Sequence, residues 1–132
     1  MMSNALLAAG ALPLVVPSRL APGAYADAAD VVATLAPEAP LFLFSAAALR
    51  QRIDRFLTGF PGLVTYAVKA NPSPDVLLTL AGAGLMTYDV ASVEEMATVR
   101  RVAPHAQLHY HNPVKSRAEI AQAYRDYGCR RF

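Results

Sequence analysis

The chain has 132 residues, of which 55% are hydrophobic and 17% charged, and its net charge is +2. This composition is too apolar for a disordered protein, and the near-neutral charge argues against a nucleic-acid-binding protein, which would concentrate basic residues on one face. The one cysteine, Cys129, excludes an internal disulfide framework and a cysteine-based zinc site.

Proline and glycine residues interrupt the first 40 residues at several positions. The apolar run at 5–16 is shorter than the about 20 residues that a membrane-spanning helix needs, and no basic residue precedes it as in a signal peptide. Residues 17–40 leave room for one short helix, around 28–35. We therefore predict an irregular N-terminal arm over residues 1–40, in a cytoplasmic protein with no membrane partner.

From residue 41 onward, apolar strands alternate with helices. Strands are predicted at Leu41–Phe44, Leu63–Lys69, Leu85–Val90 and Gln107–His111, and a fifth begins at Cys129–Phe132. The four helices between them are each predicted to start after a serine, at Ser45, Ser73, Ser92 and Ser116. They are predicted to end near Thr58, Gly82, Val102 and Gly128. The last two starts also carry a glutamate three residues later, which is typical of a capping box.

This alternation is typical of right-handed βαβ units and a parallel sheet. Two architectures share the pattern, a doubly wound open sheet and a (β/α)8 barrel. A barrel needs eight units and typically about 250 residues, whereas residues 41–132 supply four units and the start of a fifth. If the barrel is the right choice, this α/β chain forms the N-terminal half of a TIM-type barrel and is a piece of a longer domain.

Lys69 is the first candidate functional residue. Alternation along its strand places it on the same face as Thr65 and Ala67, a set of smaller residues that we expect to face the barrel interior. Barrel enzymes keep their catalytic residues at the carboxyl ends of the strands. Partial burial there would favour the neutral amine, which can form a Schiff base with a carbonyl group. The alternative is a lysine that extends from the strand end into solvent.

Three sequence blocks carry a family resemblance: YAVKAN at 66–71, YDVASVEE at 88–95 and HNPVKS at 111–116. In this order and spacing they resemble the fold-type III pyridoxal-phosphate (PLP) decarboxylases, the ornithine and diaminopimelate decarboxylase family. The resemblance covers roughly residues 40–132. The block around Asp89 and the Asn-Pro-x-Lys block fit the ornithine-type branch better than the diaminopimelate branch.

The resemblance implies a cofactor, an activity and roles for two residues. Lys69 falls on the lysine that holds PLP as a Schiff base. Asp89 falls on an acidic residue near that lysine, where its carboxylate would hold the lysine or the imine nitrogen electrostatically; the alternative is that Asp89 caps the next turn. Residues 41–132 would then be the N-terminal half of a PLP-binding barrel. The implied enzyme is a lyase that converts a basic amino acid to a polyamine precursor and CO2.

Other polar residues near these blocks have structural explanations. Glu95 has a family counterpart, but the predicted capping box accounts for it. Asn71 and Asn112 are expected to serve the strand-to-helix turns, and Lys115 is expected to be solvated before a helix.

The histidines and the cysteine are weaker candidates. His109 and His111 share a strand face and could begin a metal site, but no further His or Cys cluster completes the coordination, so we predict no metal. His105 is assigned to a helix-to-strand turn. Cys129 is expected to be a small buried residue at a strand start.

Several alternatives remain open at this stage. The groups that complete a decarboxylase site would come from later strands, so this chain is expected to be catalytically incomplete alone and to need a homo-oligomer or a missing C-terminal half. It could instead be a non-catalytic binding or assembly half-barrel, or an amino-acid racemase or PLP carrier on the same barrel. An open parallel sheet with unpaired edges is expected to self-associate.

Overall fold

The computed structural model describes residues 25–132 of the chain. The chain divides into two compact units, residues 1–43 and 44–132. The apolar run at 5–16 lies outside the described residues, and the assignment of residues 1–40 to an arm stays a prediction. No helix within residues 25–132 is long and apolar enough to cross a membrane.

The described part of the first unit contains helix α1 (Ala28–Leu35), at the predicted position. Asp27 begins the helix, because its side chain accepts a hydrogen bond from the N–H of Asp30 at 2.9 Å. The helix ends at Ala36, which has a left-handed backbone conformation with φ of 41°.

The strand predicted at Leu41–Phe44 is wrong. Residues 41–44 form neither helix nor strand, and Phe42 and Leu43 are 102% and 50% exposed. An apolar run becomes a strand only where a neighbouring strand satisfies its backbone N–H and C=O groups. Within residues 25–132, no strand pairs with this segment.

The second unit alternates helices with short parallel strands, which confirms the predicted alternation from the second predicted strand onward. Its strands are β1 (Tyr66–Ala67), β2 (Thr87–Val90) and β3 (Gln107–Tyr110), which pair in the order β1-β2-β3. Its helices are α2 (Ala46–Gly59), α3 (Pro74–Gly82), α4 (Val93–Val102) and α5 (Arg117–Asp126). Residues 25–132 thus contain three parallel strands and five helices.

Two predicted strands are shorter than expected. The segment 63–69 reduces to β1 and continues as a 3-10 turn at Val68–Ala70. Residues 129–132 contribute a parallel bridge between Arg131 and His109. Alternating apolar residues set the side-chain faces of these segments, but ladder hydrogen bonds with a neighbour set the length of a strand.

The helix starts in the second unit follow the predicted serines. The hydroxyl groups of Ser45, Ser73, Ser92 and Ser116 each accept a hydrogen bond from a backbone N–H three residues later, at 3.1–3.4 Å. The capping box at Ser116 is confirmed, because the Glu119 carboxylate also accepts from the Ser116 N–H. At Ser92 the box is altered, because the Glu95 carboxylate accepts instead from the N–H of Ala91, at 2.7 Å.

The core lies between one face of the sheet and the helices. Tyr88 and Val90 of β2 and Leu108 and Tyr110 of β3 are each at most 3% exposed. They share one apolar cluster with residues of α3, α4 and α5, among them Leu77, Leu80, Met96, Val99 and Ala123. Because successive strand residues point to opposite faces, Thr87, Asp89 and His109 lie on the other face of the sheet.

Arg100 ties the end of α4 to the segments around it. Its guanidinium donates to the carbonyl oxygen of Ala106 at 2.6 Å and twice to that of Tyr127, at 2.5 and 3.1 Å. Burial lowers the pKa of Arg100, and the nearby Cys129 opposes this shift. These bonds satisfy carbonyl groups where α5 ends and where β3 is about to begin.

Candidate functional site

The parallel register brings the carboxyl ends of the three strands together. Ala67 of β1 pairs with Asp89 of β2, and Asp89 pairs with His109 of β3. A cavity of about 110 Å³ lies just beyond this row and is lined by Lys69, Asp89, Glu95 and His111 together with residues of the following turns. The structure therefore brings Lys69 and Asp89, the two predicted site residues, into one cavity.

Lys69 lies in the 3-10 turn after β1 rather than on a strand, and its side chain is exposed. The expected partial burial at a strand end is therefore wrong. The neighbouring Val68 is fully buried and anchors the turn in the core. Since the chain has already left the sheet at Val68, Lys69 extends from the turn, and its amine is accessible to a ligand.

Asn71 fixes the end of this turn, as predicted. Its side-chain oxygen accepts from the N–H of Ser73 at 3.0 Å, and its carbonyl oxygen accepts from the hydroxyl of Tyr66 at 3.2 Å. Burial raises the pKa of Tyr66, and the bond to Asn71 partly opposes this shift. The segment that presents Lys69 is thus held at both its ends, by Val68 packing on one side and by Asn71 on the other.

The Asp89 carboxylate is partly exposed and contacts His111. Asp89 Oδ1 lies 3.3 Å from His111 Nδ1, and the two side chains are 29% and 52% exposed. The cap of the next helix comes from Ser92, whose hydroxyl accepts from the N–H of Glu95. Capping of α4 therefore does not require Asp89, and its carboxylate is available at the cavity.

Glu95 and Asn112 hold the strand-to-helix turns beside the cavity. The Glu95 carboxylate accepts from the N–H of Ala91, and the Asn112 side-chain amide donates to the carbonyl oxygen of Ala91 at 3.0 Å. The side-chain oxygen of Asn112 also accepts from the N–H of Val114 at 3.2 Å. These contacts confirm the turn role predicted for Asn112 and show that Glu95 is engaged by the backbone.

Lys115 is partly buried, so the expectation of a solvated lysine is wrong. Its amine donates to the carbonyl oxygen of Tyr110 at 2.9 Å and lies 5.1 Å and 5.9 Å from the ring centroids of Tyr110 and Phe132. A strand-end carbonyl and two ring faces together attract the cation. Lys69 and Lys115 are the two lysines of the chain, so the cavity amine belongs to Lys69.

His109 and His111 have different environments although they share a strand face. His109 is 5% exposed, and its Nε2 has no hydrogen-bond partner among residues 25–132. Burial lowers the pKa of His109; the Arg131 cation and His111 add to the shift, and Asp89 opposes it. The rings of His109 and His111 lie 5.5 Å apart, edge to face. Within residues 25–132, no group of three potential metal ligands comes together.

Sequence reasoning missed the contact between Asp89 and His111. Each residue has the right strand parity to face the cavity, but their contact depends on the register of β2 against β3, which pairs Asp89 with His109. The remaining candidates behave as simple structural residues. Cys129 is fully buried and its thiol donates to the carbonyl oxygen of Leu108 at 3.3 Å, and His105 is exposed.

Comparison with known proteins gives consistent matches. Residues 46–127 match a family model described as "Pyridoxal-dependent decarboxylase, pyridoxal binding domain". A lysine/ornithine decarboxylase from Selenomonas ruminantium is 46% identical over 70 residues, which are 52% of this chain and 17% of that protein. The chain therefore spans less than a fifth of the length of this relative.

Solved structures of decarboxylases share the fold. The crystal structure of a lysine decarboxylase from Selenomonas ruminantium matches with a TM-score of 0.65 and 30% identity, over 80% of this chain and 28% of that chain. The structure of SrLDC in complex with PLP and cadaverine matches with a TM-score of 0.64 and 34% identity, over 76% and 27% of the two chains. A lysine/ornithine decarboxylase from Vibrio vulnificus, complexed with putrescine, matches with a TM-score of 0.63 and 27% identity, over 78% and 30%.

Proposed function

Because the chain belongs to the family of pyridoxal-dependent decarboxylases, whose pyridoxal-binding domain its residues 46–127 match, we propose that it forms part of the cofactor-binding barrel of a lysine/ornithine-type decarboxylase. In this proposal β1, β2 and β3 are successive strands of a (β/α)8 barrel, and residues 129–132 begin another. The observation that carries the proposal is the position of Lys69 and Asp89 in one cavity at the carboxyl ends of parallel strands.

The residues at this cavity fit PLP. An aldehyde cofactor needs an accessible primary amine, and the exposed Lys69 supplies one, whereas the amine of Lys115 is bound to a carbonyl oxygen. A carboxylate near that amine stabilises positive charge on its nitrogen, and Asp89 lines the same cavity. The cavity of about 110 Å³ is smaller than the roughly 300–1,000 Å³ of small-molecule sites, so these residues form one side of a larger site.

In the proposed mechanism this chain supplies attachment and local electrostatics. Bound PLP acts as the electron sink for the loss of CO2 from an amino acid. Lys69 would hold the cofactor through Nζ, and Asp89 would stabilise positive charge on that nitrogen. Glu95 and Asn112 would keep the turn at Ala91 in place beside the cavity.

A basic amino acid is the proposed substrate class. Two of the matched solved structures are complexes of relatives with diamines, one with cadaverine and one with putrescine. The activity of the whole enzyme would need groups beyond this chain, which spans 27–30% of those structures. We therefore propose that the chain binds PLP and that decarboxylation requires a complementing half or further subunits.

Chemical trapping on the 132-residue chain tests the cofactor role of Lys69. Incubation with PLP followed by borohydride should place a stable pyridoxyl label on the peptide containing Lys69, detected by peptide mass mapping. Lys69→Arg keeps the positive charge but removes the primary amine, so it should lose the label. Lys115→Arg is the matched control and should keep it. Equal labelling of both lysines, or a label that survives in Lys69→Arg at other amines, would contradict the proposal.

A further inference from the structure

His111 lines the cavity, but no step of the proposed mechanism uses it. It directly follows β3, and its half-exposed imidazole places Nδ1 at 3.3 Å from Asp89 Oδ1. The sequence pattern singled it out only as a partner of His109 in a metal site, and no three-ligand group exists among residues 25–132. Its contact with Asp89 therefore needs another explanation.

The charged groups around His111 leave Asp89 as its electrostatic partner. Glu95, on α4, also lines the cavity, but its carboxylate is bound to the N–H of Ala91. Lys69 approaches from the turn after β1 and carries the same charge as a protonated imidazole. The His111 ring also lies edge to face with the ring of the buried His109, whose bridge partner is Arg131. Asp89 is thus the carboxylate that His111 contacts directly.

We propose that His111 is a positioning residue for Asp89: it holds the carboxylate at the cavity that Lys69 also lines, and so sets how strongly Asp89 acts on the Lys69 amine. This inference rests on the proposed function, because it takes Lys69 as the cofactor lysine. His111 itself does not touch the reacting atoms in this assignment.

The direction of the effect follows from the position of the carboxylate. A carboxylate held near an amine favours the ammonium form and so lowers the fraction of reactive neutral amine. Removing the His111 imidazole frees the Asp89 carboxylate to move away from Lys69. The Lys69 amine should then react faster with an acylating reagent.

Acylation with acetic anhydride at one pH measures this reactivity without the cofactor. On the 132-residue chain, Asp89→Asn removes the carboxylate and should raise the labelling rate of Lys69 by roughly twofold to fivefold. His111→Ala removes the contact with Asp89 and should raise it in the same direction, whereas His111→Gln keeps a hydrogen-bonding side chain and should restore part of the original rate. The matched control His105→Gln changes an exposed histidine outside the cavity and should leave the rate unchanged.

A second measurement checks the contact itself. The ring-proton NMR resonances of His111 should shift when Asp89 is changed to Asn, whereas those of His105 should not. A Lys69 labelling rate that is unchanged in His111→Ala, or that His111→Ala still raises in the Asp89→Asn background, overturns the inference.

The two proposals fail separately. Loss of borohydride trapping at Lys69 with the effect of His111→Ala on acylation intact would overturn the cofactor role but leave the positioning of Asp89 standing. Trapping at Lys69 with the same acylation rate in His111→Ala as in the parent chain would overturn only the role of His111.

Discussion

The two faces of the sheet formed by β1, β2 and β3 have opposite chemistry although they alternate along the same strands. The face covered by helices carries Tyr88 and Val90 of β2 and Leu108 and Tyr110 of β3, all buried in the core cluster, and burial raises the pKa of Tyr88 to about 12. The other face carries Thr87, Asp89 and His109, with Lys69 and His111 just beyond the strand ends.

This difference separates stability from function in neighbouring residues. The residues of the covered face stabilise the fold by burying apolar surface inside this chain. The polar face carries Asp89 and the buried His109, and Lys69 and His111 line the cavity just beyond the strand ends. Because the side-chain period of a strand is two, a change of register by one residue would exchange the two sets. Substitutions at adjacent positions can therefore test the comparison.

The largest effect is expected on the covered face. Leu108→Ala removes a side chain that is 3% exposed and should lower the free energy of unfolding by about 2–5 kcal/mol, because a cavity remains in the core. The adjacent Gln107 is exposed on the other face, and Gln107→Ala should change stability by at most about 0.5 kcal/mol. Urea unfolding followed by circular dichroism measures both. Similar losses for the two variants would contradict the assignment of faces.

A smaller effect is expected at the polar contact that joins the helices to the end of the sheet. Arg100→Ala leaves the carbonyl oxygens of Ala106 and Tyr127 without their donor and should cost about 1–3 kcal/mol. Arg100→Lys should restore only part of the lost stability, since an ammonium group cannot replace the planar guanidinium with its several N–H donors.

Arg101 is the matched control for Arg100. Its side chain is exposed and donates to the hydroxyl of Thr98, so Arg101→Ala should change stability by at most about 0.5 kcal/mol. The same urea titration applies to the three variants. If Arg101→Ala lowers the free energy of unfolding as much as Arg100→Ala does, the loss comes from removing a positive charge near the end of α4 and not from the carbonyl contacts.

Local signals in the sequence were sufficient to predict where the helices of the second unit begin. Ser45, Ser73, Ser92 and Ser116 all cap helices as predicted, because a hydroxyl that accepts from an N–H three residues later depends only on neighbouring residues. The strands depended on more distant partners. The run at Leu41–Phe44 has strand composition but no pairing neighbour within residues 25–132, and only two residues of the 63–69 segment join the sheet.

The family motifs and strand parity led to the prediction that Lys69 and Asp89 face one side, and both residues line one cavity. The geometry of that cavity was not predictable. The 3-10 turn that exposes Lys69 and the register that places Asp89 against His111 are tertiary features. The environment of Lys115 could not be predicted from the local sequence either, because one of the groups that its amine contacts is the ring of Phe132, which is distant along the chain.

The smallest effect is confined to acid pH and tests the buried part of the polar face. The pKa of His109 is lowered from 6.5, chiefly by burial, so the unfolded chain binds a proton more readily than the folded one. The free energy of unfolding should therefore be highest above pH 6.5 and should decrease as the pH falls from 6.5 through the folded-state pKa. Urea titrations at pH 7.5 and 5.5 measure the difference.

His109→Gln should reduce this pH dependence, whereas His105→Gln, at an exposed position, should keep it. Glu119 does not interfere, because the Ser116 N–H and hydroxyl lower its pKa below 4.5, and its contribution is lost only at more acid pH. An equal pH dependence in all three proteins would mean that His109 is as well solvated in the folded chain as in the unfolded one. The polar face of β3 would then be open to water along the whole strand, because Gln107 on that face is already exposed.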